Sequence, residues 1–361
     1  MADALDLLAR LVAVRGVTGD EAGIVAAAAE VCREVGLAVE TGPDGLVLRA
    51  GAPSPEPALC FCSHLDTVPA GEGWTVPPHE GFRRHEFVYG RGAVDARASC
   101  VAIILTVAHF AAHPPAHGVV VGLLSVGEEG DDSSLPRLLA QIPTPAAAVV
   151  GEPTRMDLAN RQRGLLVLAI ESTGVQGHAA RAVGPNAIWE LARDLSAIQR
   201  LTFARVHPAL GAIRLTPTRV TSGVADNVAP PVARALLDVR TTPAYTNDEL
   251  VATIREAVAS HVRVVSDTWR PCEIDEKQPL LACAREALPD AAVFASDAAS
   301  DWVFLARAGI PALKLGPGDP QYSHAPNERI ARHELEAGVA GYLRLAQTWL
   351  AGRGEKGGVD G

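Results

Sequence analysis

The stretch Leu59-Cys60-Phe61-Cys62-Ser63-His64-Leu65-Asp66-Thr67-Val68-Pro69 is an apolar run that stops at a histidine and an aspartate. Short apolar runs bounded by turn residues read as buried strands, and in open α/β sheets ligands collect just beyond the carboxyl ends of such strands. His64 therefore falls where chemistry is expected. Three later apolar runs end in the same way: 119–126 leads into Glu128 and Glu129, 146–150 into Glu152, and 311–315 into a loop carrying His324. Imidazoles and carboxylates gathered at four strand ends, without cysteine, make a donor set that suits zinc, or a similar divalent ion such as cobalt or manganese.

On the amino-terminal side of that strand, Leu5, Leu8 and Leu11 recur at helical spacing and predict an amphipathic helix over the first dozen residues. Thr18-Gly19-Asp20-Glu21 fits a capping box opening a second helix over 19–35, with Gly36 as its stop. Residues 37–40 and 46–48 flank Pro43-Asp44-Gly45 and read as a hairpin beside the central sheet. On the other side, 71–86 is a Pro/Gly-rich loop, and Gly90-Arg91-Gly92-Ala93-Val94-Asp95 precedes an apolar helix over 96–112. Two glycines before a helix invite a dinucleotide-binding reading. It is set aside because the third glycine is missing and no strand is expected to run straight into them. The strand 119–126, a helix over 135–141 and the strand 146–150 restore the alternation of a parallel sheet.

The pattern changes near Gly164. Strands at 165–173, 212–221, 232–240 and 262–266 with helices at 186–200 and 248–260 follow the β-α-β-β-α-β order of a ferredoxin-like α+β unit, compact at ~100 residues. From 271 the first pattern resumes: helix 280–288, strand 291–295, helix 301–308, strand 311–315 and a long helix from Glu334. The expected organisation is an α/β fold with a mostly parallel central sheet flanked by helices, its metal-binding catalytic domain formed by 1–164 and 271–361 with 165–270 inserted. A chain of 361 residues fits about two domains at ~100–200 residues each.

With 48% apolar residues the chain is globular, yet its apolar runs fall short of the ~18–20 residues of a membrane span. The amino terminus lacks the basic region of a secretory signal, so the cytoplasm is expected. A net charge of -10 disfavours nucleic acid or an anionic membrane as partner. Cys32, Cys60, Cys62, Cys100, Cys272 and Cys283 show no paired C-x-x-C spacing and read as buried free thiols. The polar, Gly-rich tail 353–361 is expected to fray.

His64-Leu65-Asp66-Thr67-Val68-Pro69, Gly90-Arg91-Gly92-Ala93-Val94-Asp95, Glu128-Glu129, Gly151-Glu152-Pro153-Thr154 and Ser323-His324-Ala325-Pro326-Asn327-Glu328 stand in this order along the chain. Together they resemble the signature series of the di-zinc aminoacylase family, which includes acetylornithine deacetylase, succinyl-diaminopimelate desuccinylase and the glutamate carboxypeptidases. The segment from Gly90 to Ala96 is especially similar to the branch that releases lysine or ornithine from an amino-group carrier protein. The resemblance implies a zinc-exopeptidase-like fold with 165–270 as lid and dimerisation domain. It implies that Asp95 bridges two zinc ions, with His64 and Glu152 on one and Glu129 and His324 on the other. A bridging carboxylate and one terminal carboxylate per ion would offset the repulsion of two dications ~3.5–4 Å apart. Asp66 is the expected acceptor for the second nitrogen of His64.

Adjacent residues on an extended chain point opposite ways, so Glu128 and Glu129 should not share one ion. Glu128 is then the general acid/base that takes a proton from zinc-bound water and returns it to the leaving amine. The resemblance further implies a cis peptide at Asp95-Ala96, an oxyanion donor at His178, often supplied across a homodimer, and a grip on the substrate carboxylate by Asn227 and Arg240. Arg97, Ser99 and Gly127 depart from the family's usual lysine, glycine and acidic residue. The expected activity is metal-dependent hydrolysis of the amide bond of a small N-acyl amino acid in arginine or lysine biosynthesis, acetylornithine deacetylase-like. The alternatives are a carrier-protein-linked lysine or ornithine hydrolase, a dipeptidase or carboxypeptidase, and a non-catalytic metal-binding protein of the same fold.

Overall fold

The computed structural model describes residues 3–51, 59–181 and 184–354. The end of the tail expected to fray, from 355 onward, lies outside the described residues. Helices α1 (Ala4–Val12) and α2 (Ala22–Glu34) lead into the strands β1 (Val39–Gly42), β2 (Gly45–Ala50) and β3 (Leu59–His64). Then come β4 (Phe82–Arg84), β5 (Phe87–Tyr89), α3 (Arg97–Ala112), β6 (Val120–Ser125), α4 (Leu135–Leu139), β7 (Ala147–Val150) and β8 (Leu158–Gln162). The middle of the chain forms β9 (Gly164–Thr173), β10 (Gly177–His178), α5 (Ala187–Gln199), β11 (Arg214–Ser222), β12 (Val228–Ala229), β13 (Val232–Thr241), α6 (Asn247–Ala257) and β14 (His261–Trp269). It closes with β15 (Cys272–Glu273), α7 (Pro279–Ala287), β16 (Val293–Ser296), α8 (Trp302–Arg307), β17 (Ala312–Lys314), β18 (Arg329–Ala331) and α9 (Arg332–Gly354).

The large sheet runs β1-β2-β6-β3-β7-β17-β8-β15, with β16 beside β8. At its centre β3 is parallel to β6 and β7, and β7 is parallel to β17. β3, β6 and β7 are buried at every position. Strands covered on both faces need apolar side chains on both, which is why they read as unbroken apolar runs rather than alternating ones. Helix α3 has the same explanation. It packs against β2, β3 and β6 on one side and α1 and α9 on the others, so its apolar surface runs all the way round. Register brings the carboxyl ends together: His64 lies opposite Ser125, Cys62 opposite Val150, and Val150 opposite Lys314.

The chain divides into two compact units. The first comprises Met1–Asn160, Glu273–Phe294 and Ser300–Gly361, the second Arg161–Cys272 and Ala295–Ala299. In the second, a four-stranded antiparallel sheet of order β11-β13-β9-β14 carries α5 and α6, the ferredoxin-like arrangement. Along β9 buried Leu166, Leu168 and Ile170 alternate with half-buried residues, as a sheet covered on one face requires.

Three local expectations fail. Helix α2 begins at Ala22 without a side-chain cap, because the Thr18 hydroxyl donates instead to Asp66 Oδ2 at 2.7 Å. The loop 71–86 contains β4, and β5 runs straight into Gly90. β5 nevertheless belongs to a small antiparallel sheet of order β18-β5-β4, so the dinucleotide reading gains nothing from it. Glu128 and Glu129 stand in a turn beyond β6, not on extended chain.

Candidate metal centre

His64 is the last residue of β3 and its side chain is 2% exposed. Its Nε2 lies 3.4 Å from Asp95 Oδ1, 3.9 Å from Glu152 Oε1 and 4.0 Å from Glu128 Oε2. His324 Nε2 lies 2.8 Å from Glu129 Oε1 and 3.5 Å from Asp95 Oδ2. The Asp95 carboxylate thus stands between two imidazoles, one oxygen toward each. Two donor groups, His64 with Asp95 and Glu129 and His64 with Glu128 and Glu152, each have ligand atoms within 4.8 Å of one another. The two adjacent glutamates fall in different groups, although the turn and not strand alternation separates them.

Asp66 works through the backbone. Its Oδ1 accepts from the Glu128 N–H at 3.2 Å and its Oδ2 from the Glu129 N–H at 3.1 Å, so one buried carboxylate aims the turn that carries both glutamates. His64 Nδ1 is nearer the Asp66 carbonyl oxygen, at 3.0 Å, than its carboxylate, at 3.5 Å. Gly127, a departure from the family pattern, has φ +78, and a Cβ there would meet the Asp132 carbonyl oxygen at 2.5 Å. Only glycine adopts that turn without strain. Gly151 lets the Glu152 segment approach α3 and α9: a Cβ would lie 2.8 Å from the Ser99 Cβ and 3.0 Å from the Tyr342 hydroxyl. The Asp95-Ala96 peptide is cis.

Burial, then Asp95, pushes the Glu152 carboxyl up to about 7. Burial together with the nearby Glu152, Asp301 and Glu129 carboxylates raises Glu128 well above the ordinary range, against the pull of His64. Burial disfavours a charged His64, but Glu128, Asp66 and Asp95 outweigh it and raise that imidazole. The hydrogen bond to Glu129 raises His324 to about 9. Like charges are crowded here at a cost that bound cations would turn into attraction. The donors are carboxylates and imidazoles from separate segments, which fits one or two divalent ions. Cys60 and Cys62 lie within β3, where burial pushes the first thiol up to about 12 and the second well above its ordinary value, and neither belongs to the two donor groups.

Asp301, at the start of α8, is 2% exposed and accepts from the Ser125 hydroxyl at 3.0 Å. From sequence alone Asp301 has no role beyond opening a helix, and Arg91 and Glu328 have none.

His178, Asn227 and Arg240 belong to the second unit. The short ladder of β10 with β12 and the bond from the Ala179 N–H to the Asn227 carbonyl oxygen (2.9 Å) bring the His178 and Asn227 segments together. His178 Nδ1 accepts from the Ala180 N–H, and His178 lines a cavity of ≈ 840 Å³ together with Val175, Trp189 and Asp226. Arg240 gives Nε and Nη2 to Asp238.

Residues 60–348 match the model of Peptidase family M20/M25/M40. The chain belongs to this family. A succinyl-diaminopimelate desuccinylase of Rhizorhabdus wittichii is 33% identical over 281 residues, 72% of this chain and 74% of that protein. An Aeropyrum pernix protein provisionally named LysW-lysine/LysW-ornithine hydrolase is 29% identical over 94% of this chain and 93% of its own length. The Bacillus subtilis YXEP protein, a dinuclear metal-binding peptidase of the M20 family, shares the fold with a TM-score of 0.71 at 15% identity, covering 96% of this chain and 98% of that one. As an M20 member the chain is a hydrolase, a metal-dependent amidohydrolase. Among the described residues no helix is long and apolar enough to cross a membrane.

Proposed function

We propose that this M20 enzyme hydrolyses the amide bond of an N-acyl amino acid, with His64, Asp95, Glu129, Glu152 and His324 holding two zinc ions for which cobalt or manganese can substitute. The observation that carries this reading is the Asp95 carboxylate set between two imidazoles, with Glu129 and Glu152 in separate donor groups. When bound, such ions polarise a carbonyl and lower the pKa of water. Glu128 is the group that accepts the proton of the attacking water and delivers it to the leaving amine, its Oε2 lying 4.0 Å from His64 Nε2 beside the proposed metal ligands. His178 is the proposed donor to the oxyanion. Asn227 and Arg240 are the proposed grip on a substrate carboxylate. Arg240 keeps N–H donors beyond the two given to Asp238.

The named relatives move the favoured substrate from N-acetylornithine toward N-succinyl-diaminopimelate, on the lysine side of amino-acid biosynthesis. The Aeropyrum relative supports a carrier-linked lysine or ornithine as the second reading. The test is to strip the protein of metal, restore zinc or cobalt, and assay N-succinyl-diaminopimelate, N-acetylornithine, simple dipeptides and an amino-group carrier protein loaded with lysine. Hydrolysis of the succinyl substrate at least tenfold faster than the others supports the first reading. Failure on every substrate with metal bound refutes the proposal.

Metal removal should also register in stability. Since the ions bind the folded site, zinc added to stripped protein at about 100 times its Kd raises stability by about 2.7 kcal/mol, read as a higher thermal midpoint. A midpoint indifferent to zinc would count against the site.

A homodimer is the proposed assembly. β11 is an edge strand exposed along nearly its whole length, and Trp189, 71% exposed, lies on α5 of the same unit. Open strand edges and large exposed aromatic side chains are features that protein partners cover. Sedimentation at micromolar concentration should return twice the mass of the chain, and a monomer would refute the assembly.

A further inference from the structure

Arg91 and Glu328 form an ion pair whose side chains are 2% and 0% exposed, with Arg91 Nη1 donating to Glu328 Oε2 at 2.7 Å. Burying two charges yields little net stability, because desolvation offsets their attraction. Geometry is what this pair supplies. Glu328 Oε1 accepts from the Val94 N–H at 2.8 Å and from the Asp95 N–H at 3.0 Å. Arg91 Nη2 donates to the carbonyl oxygens of His324 and Ala70, each at 3.1 Å, and the Trp74 ring lies over the guanidinium with its centroid 5.3 Å away. One buried pair therefore bonds the backbone of Asp95 on one side and that of His324 on the other.

His324 needs such a hold more than His64 does. It sits on a loop at φ +61, a left-handed conformation that a residue with a Cβ adopts at a cost, and its side chain is half exposed. His64 ends a buried strand and has its ring fixed through Nδ1 by the Asp66 carbonyl.

Resting on the metal assignment proposed above, we infer that Arg91 and Glu328 are positioning residues that set Asp95 against His324, and so serve the metal position of Glu129 and His324 rather than that of His64 and Glu152. Arg91→Lys keeps the charge opposite Glu328 but loses the planar fork that reaches two partners at once.

The experiment is stepwise zinc titration of stripped protein against a chromogenic chelator, with cobalt absorption spectra and the thermal midpoint of the metal-free protein measured alongside. For Arg91→Lys one ion should bind about 10- to 100-fold more weakly, with its cobalt spectrum changed. The other ion and the metal-free midpoint should stay as in the parent. Glu328→Gln, which keeps an oxygen for the Val94 and Asp95 N–H groups, should weaken the same ion. Because it leaves the buried Arg91 charge without its counter-ion, its metal-free midpoint should fall, and it decides the matter by the difference between the two ions if Arg91→Lys does not fold. Two ions bound as in the parent, or both weakened alike together with a lower metal-free midpoint, overturn the inference. A parent protein that takes up fewer than two ions instead overturns the metal assignment beneath it.

Discussion

Glu128→Gln is expected to leave the metal content unchanged and to lower kcat by about two to four orders of magnitude, the usual worth of a positioned general acid/base. The glutamine amide has nearly the shape of the carboxylate, so the turn beyond β6 should survive. That turn is held by the Glu128 and Glu129 N–H groups on Asp66, bonds that do not involve the Glu128 side chain. What disappears is a proton acceptor held beside the proposed metal ligands. Glu128 Oε2 is also 4.0 Å from His64 Nε2, within one of the two candidate donor groups, so a ligand role is the competing assignment. Metal analysis beside kcat separates the two. A fall in bound metal that tracks the fall in turnover makes Glu128 a ligand, and unchanged turnover removes it from the chemistry.

The four strand ends could be read from sequence because their cause is local. A parallel strand with helices on both faces must be apolar at every position, and the first polar residues after it mark the sheet edge. The ferredoxin-like unit was legible for a related reason, since the order of its helices and strands is itself the pattern.

What stayed hidden is the choice of partner made by a polar side chain. Thr18-Gly19-Asp20-Glu21 has the spacing of a capping box, yet the Thr18 hydroxyl goes to Asp66, 48 positions away. Asp66 stands beside the His64 ring, its carbonyl 3.0 Å and its carboxylate 3.5 Å from Nδ1, but it also supports the two N–H groups of the glutamate turn, a turn the sequence did not mark because Gly127 alone carries the signal. Glu328 stood inside a quoted motif without a role, because its partners lie more than 230 positions away. Polar groups near a turn can bond locally or across the fold with similar energy, and tertiary packing decides.

Asp95→Ala should abolish the stability gained from zinc while changing the metal-free stability little. Two dications ~4 Å apart at an effective dielectric of about 20 repel by roughly 16 kcal/mol, four times the value for unit charges. The carboxylate between His64 and His324 is the group placed to offset that repulsion from both sides. Without it the protein should retain at most one ion and lose turnover by more than about a thousandfold, since polarisation of the carbonyl and activation of water both depend on the metal site. The metal-free protein should respond far less. Asp95 is the largest cause after burial of the raised Glu152 pKa, so its removal relieves that carboxylate. Against burial, however, His64 and His324 hold the Asp95 pKa below its ordinary value, so its removal also deprives two imidazoles of a partner. At pH 8, above the Glu152 pKa of about 7 and below the His324 pKa of about 9, both effects are present and oppose each other. The thermal midpoint of stripped Asp95→Ala at pH 8 should therefore fall only slightly below that of the stripped parent, while the rise caused by zinc is largely abolished. A stripped variant whose midpoint falls by as much as zinc raises the parent's would show that Asp95 serves the fold and not the metal pair.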